Sequence, residues 1–169
     1  MKMAKHLKFD TGKYLELVYR YLSIRNRSEK EIRDYLTKKE ATSEIREQIV
    51  ALLKKQKFLN DELFARAWVS YRARTTPRGK HLLRIELKQK GIDKELIDTV
   101  LGEKNEELPD ELTQARGIIK KRIERLRGQP KQEIYNKVGS FLARRGFDWD
   151  TAKKAIDQSL VAEEEASKV

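Results

Sequence analysis

Cysteine is absent from the 169 residues, which excludes disulfides and thiolate metal sites. Only His6 and His81 carry imidazoles. They cannot assemble a conventional zinc centre, and His81, beside Lys80 at an expected helix start, reads as a solvated surface residue. Proline occurs three times and glycine eight times, so each is an informative boundary signal. Apolar runs reach only a few residues, so neither a signal sequence nor a membrane span is expected and the chain reads as cytoplasmic. Alternating apolar stretches of strand length are missing, and nothing asks for a sheet. The sequence also lacks the glycine-rich phosphate loop, the dinucleotide fingerprint and the nucleophile elbow. Acids such as Asp61 and Glu62 fall in a first helical turn, where compensation of the helix dipole explains them. No catalytic residue, cofactor or metal is expected, and the reading is of a protein that is not an enzyme.

What is present is repetition. The segment Leu87-Lys-Gln-Lys-Gly-Ile92 recurs 55 residues later as Leu142-Ala-Arg-Arg-Gly-Phe147, and a worn copy, Leu36-Thr-Lys-Lys-Glu-Ala41, stands 51 residues before it. Around each leucine an apolar residue lies four before (Ile32, Leu83, Val138) and five after (Ala41, Ile92, Phe147). More follow at Ile49 and Val50, Val100 and Leu101, Ala155 and Ile156. These offsets describe a helix, a tight stop and a second helix. Gly91 and Gly146 follow cationic last turns, where glycine takes the left-handed conformation and the cations oppose the negative helix end. Glu40 occupies that position in the first copy, so a different turn is expected there.

Each copy also predicts an upstream helix. Leu63, Phe64, Ala67, Trp68 and Tyr71 share a face expected to meet the core, as do Tyr14, Leu15, Val18, Tyr19 and Leu22, and Leu112, Ala115, Ile119, Ile123 and Leu126. Asn60-Asp61-Glu62 opens the second of these, and Pro109, suited to a first helical position, with Asp110 and Glu111 opens the third. Ser28 to Glu31 has capping-box form, Asp93 can cap a helix that Gly102 ends, and Gly128-Gln-Pro130 breaks the chain. The expected fold class is all-α: three tandem three-helix repeats forming an elongated, curved array. The boundaries are 11–59, 60–105 and 106–160, with mobile tails at 1–10 and 161–169.

The formal charge is +11 and the pI about 9.7, which implies an acidic partner. Between Arg66 and Lys90, eight cations (Arg66, Arg72, Arg74, Arg78, Lys80, Arg84, Lys88, Lys90) face the single carboxylate of Glu86 within the span. From Glu95 to Glu111, seven acids face Lys104. Lys80, Arg84 and Lys88 share a helix face. A second basic block holds Arg116, Lys120, Lys121, Arg122, Arg125 and Arg127 against Glu124. The candidate partner surface comprises the eight cations of the first block together with Arg25, Arg27, Arg144 and Arg145. Tyr14, Tyr19, Tyr21, Tyr35, Trp68 and Tyr71 sit mostly at core spacing and are assigned to packing rather than base stacking. Trp149, just before the last helix, is left between the two roles.

The three-unit array, Arg27-Ser28-Glu29 opening the second helix, Phe64-Ala65 with Arg72 in the fourth, Gly79 followed by Leu-x-x-Lys-Gly-Ile, and the closing Leu-x-x-Arg-Gly-Phe together resemble the bacterial RecX family over roughly Tyr14 to Leu160. The resemblance implies tandem three-helix repeats and binding to the filament of the RecA recombinase. It further implies modulation, typically inhibition, of RecA ATPase, strand-exchange and coprotease activity in DNA repair, recombination and the SOS response. RecA is then the expected protein partner of a monomer, with DNA touched weakly or as part of the filament. The competing expectation is a direct DNA-binding protein built from helix-turn-helix-like units, although no recognition helix with grouped Asn, Gln and Arg stands out.

Overall fold

A computed structural model of the chain describes residues 2–103 and 108–166. Nine α-helices and no strand occupy the described residues: α1 (Lys2–Leu22), α2 (Glu29–Lys38), α3 (Ser43–Lys55), α4 (Asp61–Thr75), α5 (Lys80–Gln89), α6 (Lys94–Gly102), α7 (Glu111–Glu124), α8 (Lys131–Arg144) and α9 (Trp149–Ala166). They form three successive groups of three. Helical backbone also runs through 2–10 and 161–166, where the sequence suggested tails. The His6 side chain, the acids Glu106 and Glu107 with Lys104, and the boundary at 105 lie outside the described residues, as do 167–169.

Two compact units divide the chain, one holding Met1–Arg66 and Leu87–Leu96, the other Ala67–Glu86 and Ile97–Val169. In the first, α1, α2 and α3 pack on one another around Val18, Ile32, Leu36, Ile45, Ile49, Val50 and Leu53, all buried. Tyr14, Leu15, Tyr19 and Leu22 lie against that core as expected. In the second, α7, α8 and α9 enclose Ala115, Ile119, Ile123, Ile134, Val138, Leu142, Phe147, Ala155 and Ile156. The face expected of α4 is corrected by one position. Phe64 and Ala65 are buried, whereas Leu63 and Tyr71 are 59% and 56% exposed and Ala67 is also exposed. Trp68 stays half-buried, its indole N–H donating to Glu86 at 2.8 Å, while the burial of Phe64 and Ala65 leaves Leu63 on the outer side.

The repeated leucine segment is a helix-ending hydrogen-bond motif. The amide five residues past each leucine donates to the leucine carbonyl: Ala41 to Leu36 at 3.0 Å, Ile92 to Leu87 at 3.1 Å, Phe147 to Leu142 at 3.2 Å. The preceding amides, Glu40, Gly91 and Gly146, donate to Thr37, Lys88 and Ala143 at 3.0, 3.0 and 2.9 Å. This is the Schellman arrangement, whose accompanying apolar contact joins the leucine to the residue five later. The expectation of a different turn in the first copy is therefore corrected, because Glu40 adopts φ 61° beside Gly91 and Gly146 at φ 83°. Burial of Leu36 and Ala41 and two backbone bonds hold the glutamate there against a left-handed strain of about 1–2 kcal/mol.

Capping follows the sequence signals with one adjustment. Ser28 and Glu31 complete a capping box, Asn60 accepts from the Leu63 amide at 3.0 Å, and Asp93 accepts from Leu96 at 3.0 Å. Asp110, rather than Pro109, stands at the boundary of α7 and accepts from Thr113 at 2.8 Å. Pro109 therefore precedes the cap instead of occupying the first helical position.

Candidate functional site

The cations of the middle copy divide into paired and unpaired groups. In the second unit, Glu86 collects the Trp68 indole at 2.8 Å and Arg72 Nε at 2.9 Å, with Arg78 Nε 3.9 Å away. Arg72 also lies over the Trp68 ring at 4.8 Å and donates to Thr76 at 3.1 Å. Arg84 pairs with Asp98. In the first unit, Arg66 pairs with Glu62 at 3.0 Å and Lys90 with Glu31 at 2.5 Å. The apparent excess of eight cations over one carboxylate is thus reduced by acids from other elements, which a count along the chain missed. Arg74, Lys80, Lys88 and Arg144 are exposed, and among the described residues no side-chain ion pair involves them. Lys80, Arg84 and Lys88 all lie on the exposed face of α5.

In the first copy, Arg25 grips Glu31 through two bonds of 2.8 and 3.0 Å. Burial alone would raise the Glu31 carboxyl, but the bonds and charges of Arg25 and Lys90 outweigh it and hold the pKa down at about 2. Arg27 caps an aromatic stack: its guanidinium lies 3.7 Å from the centre of the Tyr21 ring, which stacks on Tyr35 at 4.2 Å. Both tyrosines pack against the core. Trp149 is 59% exposed, with its ring over Gly139, where a Cβ would come within 3.1 Å.

Two acids emerge with a role the sequence reading did not give them. In the first unit, Asp61 Oδ1 accepts the Glu29 amide that opens α2 at 2.9 Å, and the Ser28 hydroxyl donates to the Lys90 carbonyl at 2.6 Å. In the second unit, Glu111 Oε1 accepts the Lys80 amide that opens α5 at 2.8 Å, and the Gly79 amide donates to the Arg145 carbonyl at 2.9 Å. The same joint is built twice. The second helix of one copy starts on an acid at the head of the next copy's first helix and on the Lys/Arg-Gly end of its second. Burial raises the pKa of both Asp61 and Glu111, against the opposing pull of the amide each accepts. Equivalent acids at helix heads in successive copies were the available signal.

At the joints the glycines are needed for space as well as for φ. A Cβ on Gly91 would sit 2.5 Å from Lys30 Cβ, and one on Gly146 would meet the Leu82 Cβ and, at 2.5 Å, its backbone nitrogen. Lys39 and Glu40, at the corresponding end of the first copy, are exposed, so a side chain there has room. Among the described residues no group of three His, Cys, Asp or Glu side chains could hold a metal, and no helix is long and apolar enough to cross a membrane.

Three stretches of the chain match the domains of one family. Residues 15–53 match the first three-helix domain of RecX, 60–101 the second and 109–156 the third. The regulatory protein RecX of Bacillus pumilus (strain SAFR-032) is 35% identical over 145 residues, covering 86% of this chain and 54% of that protein. For the regulatory protein RecX of Bacillus subtilis (strain 168) the identity is 33% over 138 residues, covering 82% and 52%. The chain spans about half the length of the curated relatives it matches. A crystal structure of regulatory protein RecX superposes with a TM-score of 0.77 at 26% identity, over 92% of this chain and 75% of the other. That of RecX from Lactobacillus salivarius gives 0.80 at 22% identity over 91% and 99%, a likeness of fold.

Proposed function

The chain belongs to the RecX family, and from that premise we propose that it is a regulator of the RecA recombinase. It binds the RecA–DNA filament and lowers RecA ATPase, strand-exchange and coprotease activity, and so acts in DNA repair and recombination without chemistry of its own. The observation that carries this reading is the match, in order, to all three RecX three-helix domains. The charge of +11 supports it, because a filament containing DNA is a dense polyanion. In this reading the exposed α5 face of Lys80, Arg84 and Lys88, with Arg74 nearby in sequence, meets the filament. The paired arginines Arg25, Arg66 and Arg72 and Lys90 serve mainly to hold the fold. By touching neighbouring RecA protomers at once, the bound chain keeps them from the conformation needed for ATP turnover.

The test is a DNA-dependent ATPase assay of RecA with increasing amounts of this protein. Hydrolysis is expected to fall as the ratio approaches one to one, and an unchanged rate there removes the assignment. Reversing Lys80, Arg84 and Lys88 together to glutamate is expected to weaken inhibition at least about tenfold with helicity unchanged, since six units of charge change on one helix face. Full inhibition by that variant takes the α5 face out of the contact. Equal binding to naked and RecA-coated DNA would replace the reading with a direct DNA-binding protein.

A further inference from the structure

The third copy carries a basic groove that the α5 contact proposed above does not use, although Arg144, which lines it, belongs to the basic residues singled out in the sequence. Between α7 and α8, a groove of about 510 Å³ is lined by Arg122, Arg125, Lys137 and Arg144, with the Asn136 and Ser140 side chains among them. No carboxylate lines it. Lys137 pairs with Glu133 beside it, but among the described residues Arg122, Arg125 and Arg144 have no acidic partner. The groove of about 300 Å³ in the first unit differs in this respect, because Glu31 and Asp34 stand there with Lys30, Lys38 and Lys90.

The positive field extends beyond the groove wall. The guanidiniums of Arg122 and Arg145 lie 4.1 and 4.9 Å from the centre of the same ring, Phe141. Burial, then repulsion by Arg78 and Arg122, lowers the Arg145 pKa. Arg78 Nε is buried without a hydrogen bond, and the nearby Glu86 is already shared by Trp68 and Arg72. The free protein therefore holds like charges together at a cost that a bound anion would relieve.

Dimensions favour a linear polyanion over a compact one. Lys137 and Arg144 are seven residues apart on α8, about 10 Å of helix rise, so a single phosphate cannot reach both ends of the groove. The neutral Asn136 and Ser140 suit ester and sugar oxygens, whereas Phe141 is covered by guanidiniums rather than free to stack a base. We propose that the α7–α8 groove of the third repeat binds the phosphate backbone of a single nucleic-acid strand, independently of sequence. Arg122, Arg125 and Arg144 are the contacting cations.

The test uses the full chain, a fluorescent oligothymidine and anisotropy at several salt concentrations, with no recombinase present, so its outcome does not depend on the RecA reading. R122Q/R125Q/R144Q is expected to bind about tenfold or more weakly at low salt and to reduce the log–log salt slope by about 2, from about 0.7 per phosphate contact on a single strand. K13Q/K55Q/K153Q, with the same loss of charge at exposed positions elsewhere, is expected to bind within about threefold of the wild type at low salt. Ser140→Asp adds a carboxylate to the groove while leaving every arginine in place, and is expected to weaken binding about fivefold. Far-UV circular dichroism verifies that each variant is folded. Binding by the groove triple variant no weaker than that of the control triple variant overturns the proposal, as does wild-type affinity in S140D. Displacement of the oligonucleotide by micromolar inorganic phosphate also overturns it, in favour of a free-phosphate site.

Discussion

At the scale of single residues, partly buried acids set the pH behaviour in opposite senses. The Glu31 carboxyl is held below its usual range, at about 2, so its ionised form is favoured by the fold. The stability it supplies is complete above about 4.5 and is lost as pH falls towards about 2. Glu31→Gln is expected to cost about 1 kcal/mol at neutral pH, a figure that allows for solvent screening of the pair with Arg25. In urea titrations the gap to the wild type should close in acid; a gap constant with pH would mean that packing, not charge, was lost. Asp61 and Glu111 work the other way. Burial raises their pKa in the fold, so their contribution is present in acid and declines as pH rises through the raised values. Asp61→Asn keeps the oxygen that accepts the Glu29 amide and removes the buried charge. Its urea midpoint at neutral pH is expected to match or exceed the wild type, and a loss above about 1 kcal/mol would show the charge to be needed.

Among the elements, the leucine-to-glycine turn explains why one copy differs. Glu40 carries the same left-handed backbone as Gly91 and Gly146 without a neighbour that forbids a side chain. Glu40→Gly is thus expected to stabilise the protein by about 0.5–1 kcal/mol, the relief of strain exceeding the entropy glycine adds to the unfolded chain. Thermal unfolding checks it, and a lower melting temperature would refute the strain. Gly146→Ala is expected to cost about 2 kcal/mol or more, because strain is joined by a clash with the Leu82 backbone. Gly91→Ala is expected to cost a similar amount, because its Cβ would sit 2.5 Å from the Lys30 Cβ, an atom fixed to the α2 backbone. The positions of these turns were legible in sequence because leucine and the apolar residue five later recur. Their common conformation was not, because glutamate at a glycine position is a poor predictor of positive φ. The face of α4 differs for a related reason: apolar spacing cannot tell Leu63 and Tyr71, which stay exposed, from Phe64 and Ala65, which are buried.

For the whole molecule, charge is the property that reaches furthest. A net +11 predicts salt-sensitive association with any polyanionic partner. Under the proposed reading, the concentration that half-inhibits RecA should rise about tenfold or more between low and near-physiological salt; insensitivity would point to an apolar contact instead. The sequence by itself determined the three-fold helical repetition, the core leucines and isoleucines, most helix caps and the basic balance, because these depend on local spacing and on sums over composition. Only the tertiary structure decided which cations are neutralised, because Glu31, Glu86 and Asp98 reach arginines and lysines on other elements. It likewise decided that Asp61 and Glu111 open helices other than their own and that Arg122, Arg125 and Arg144 line one groove. Electrostatic pairing depends on distance through space, and distance along the chain does not contain it.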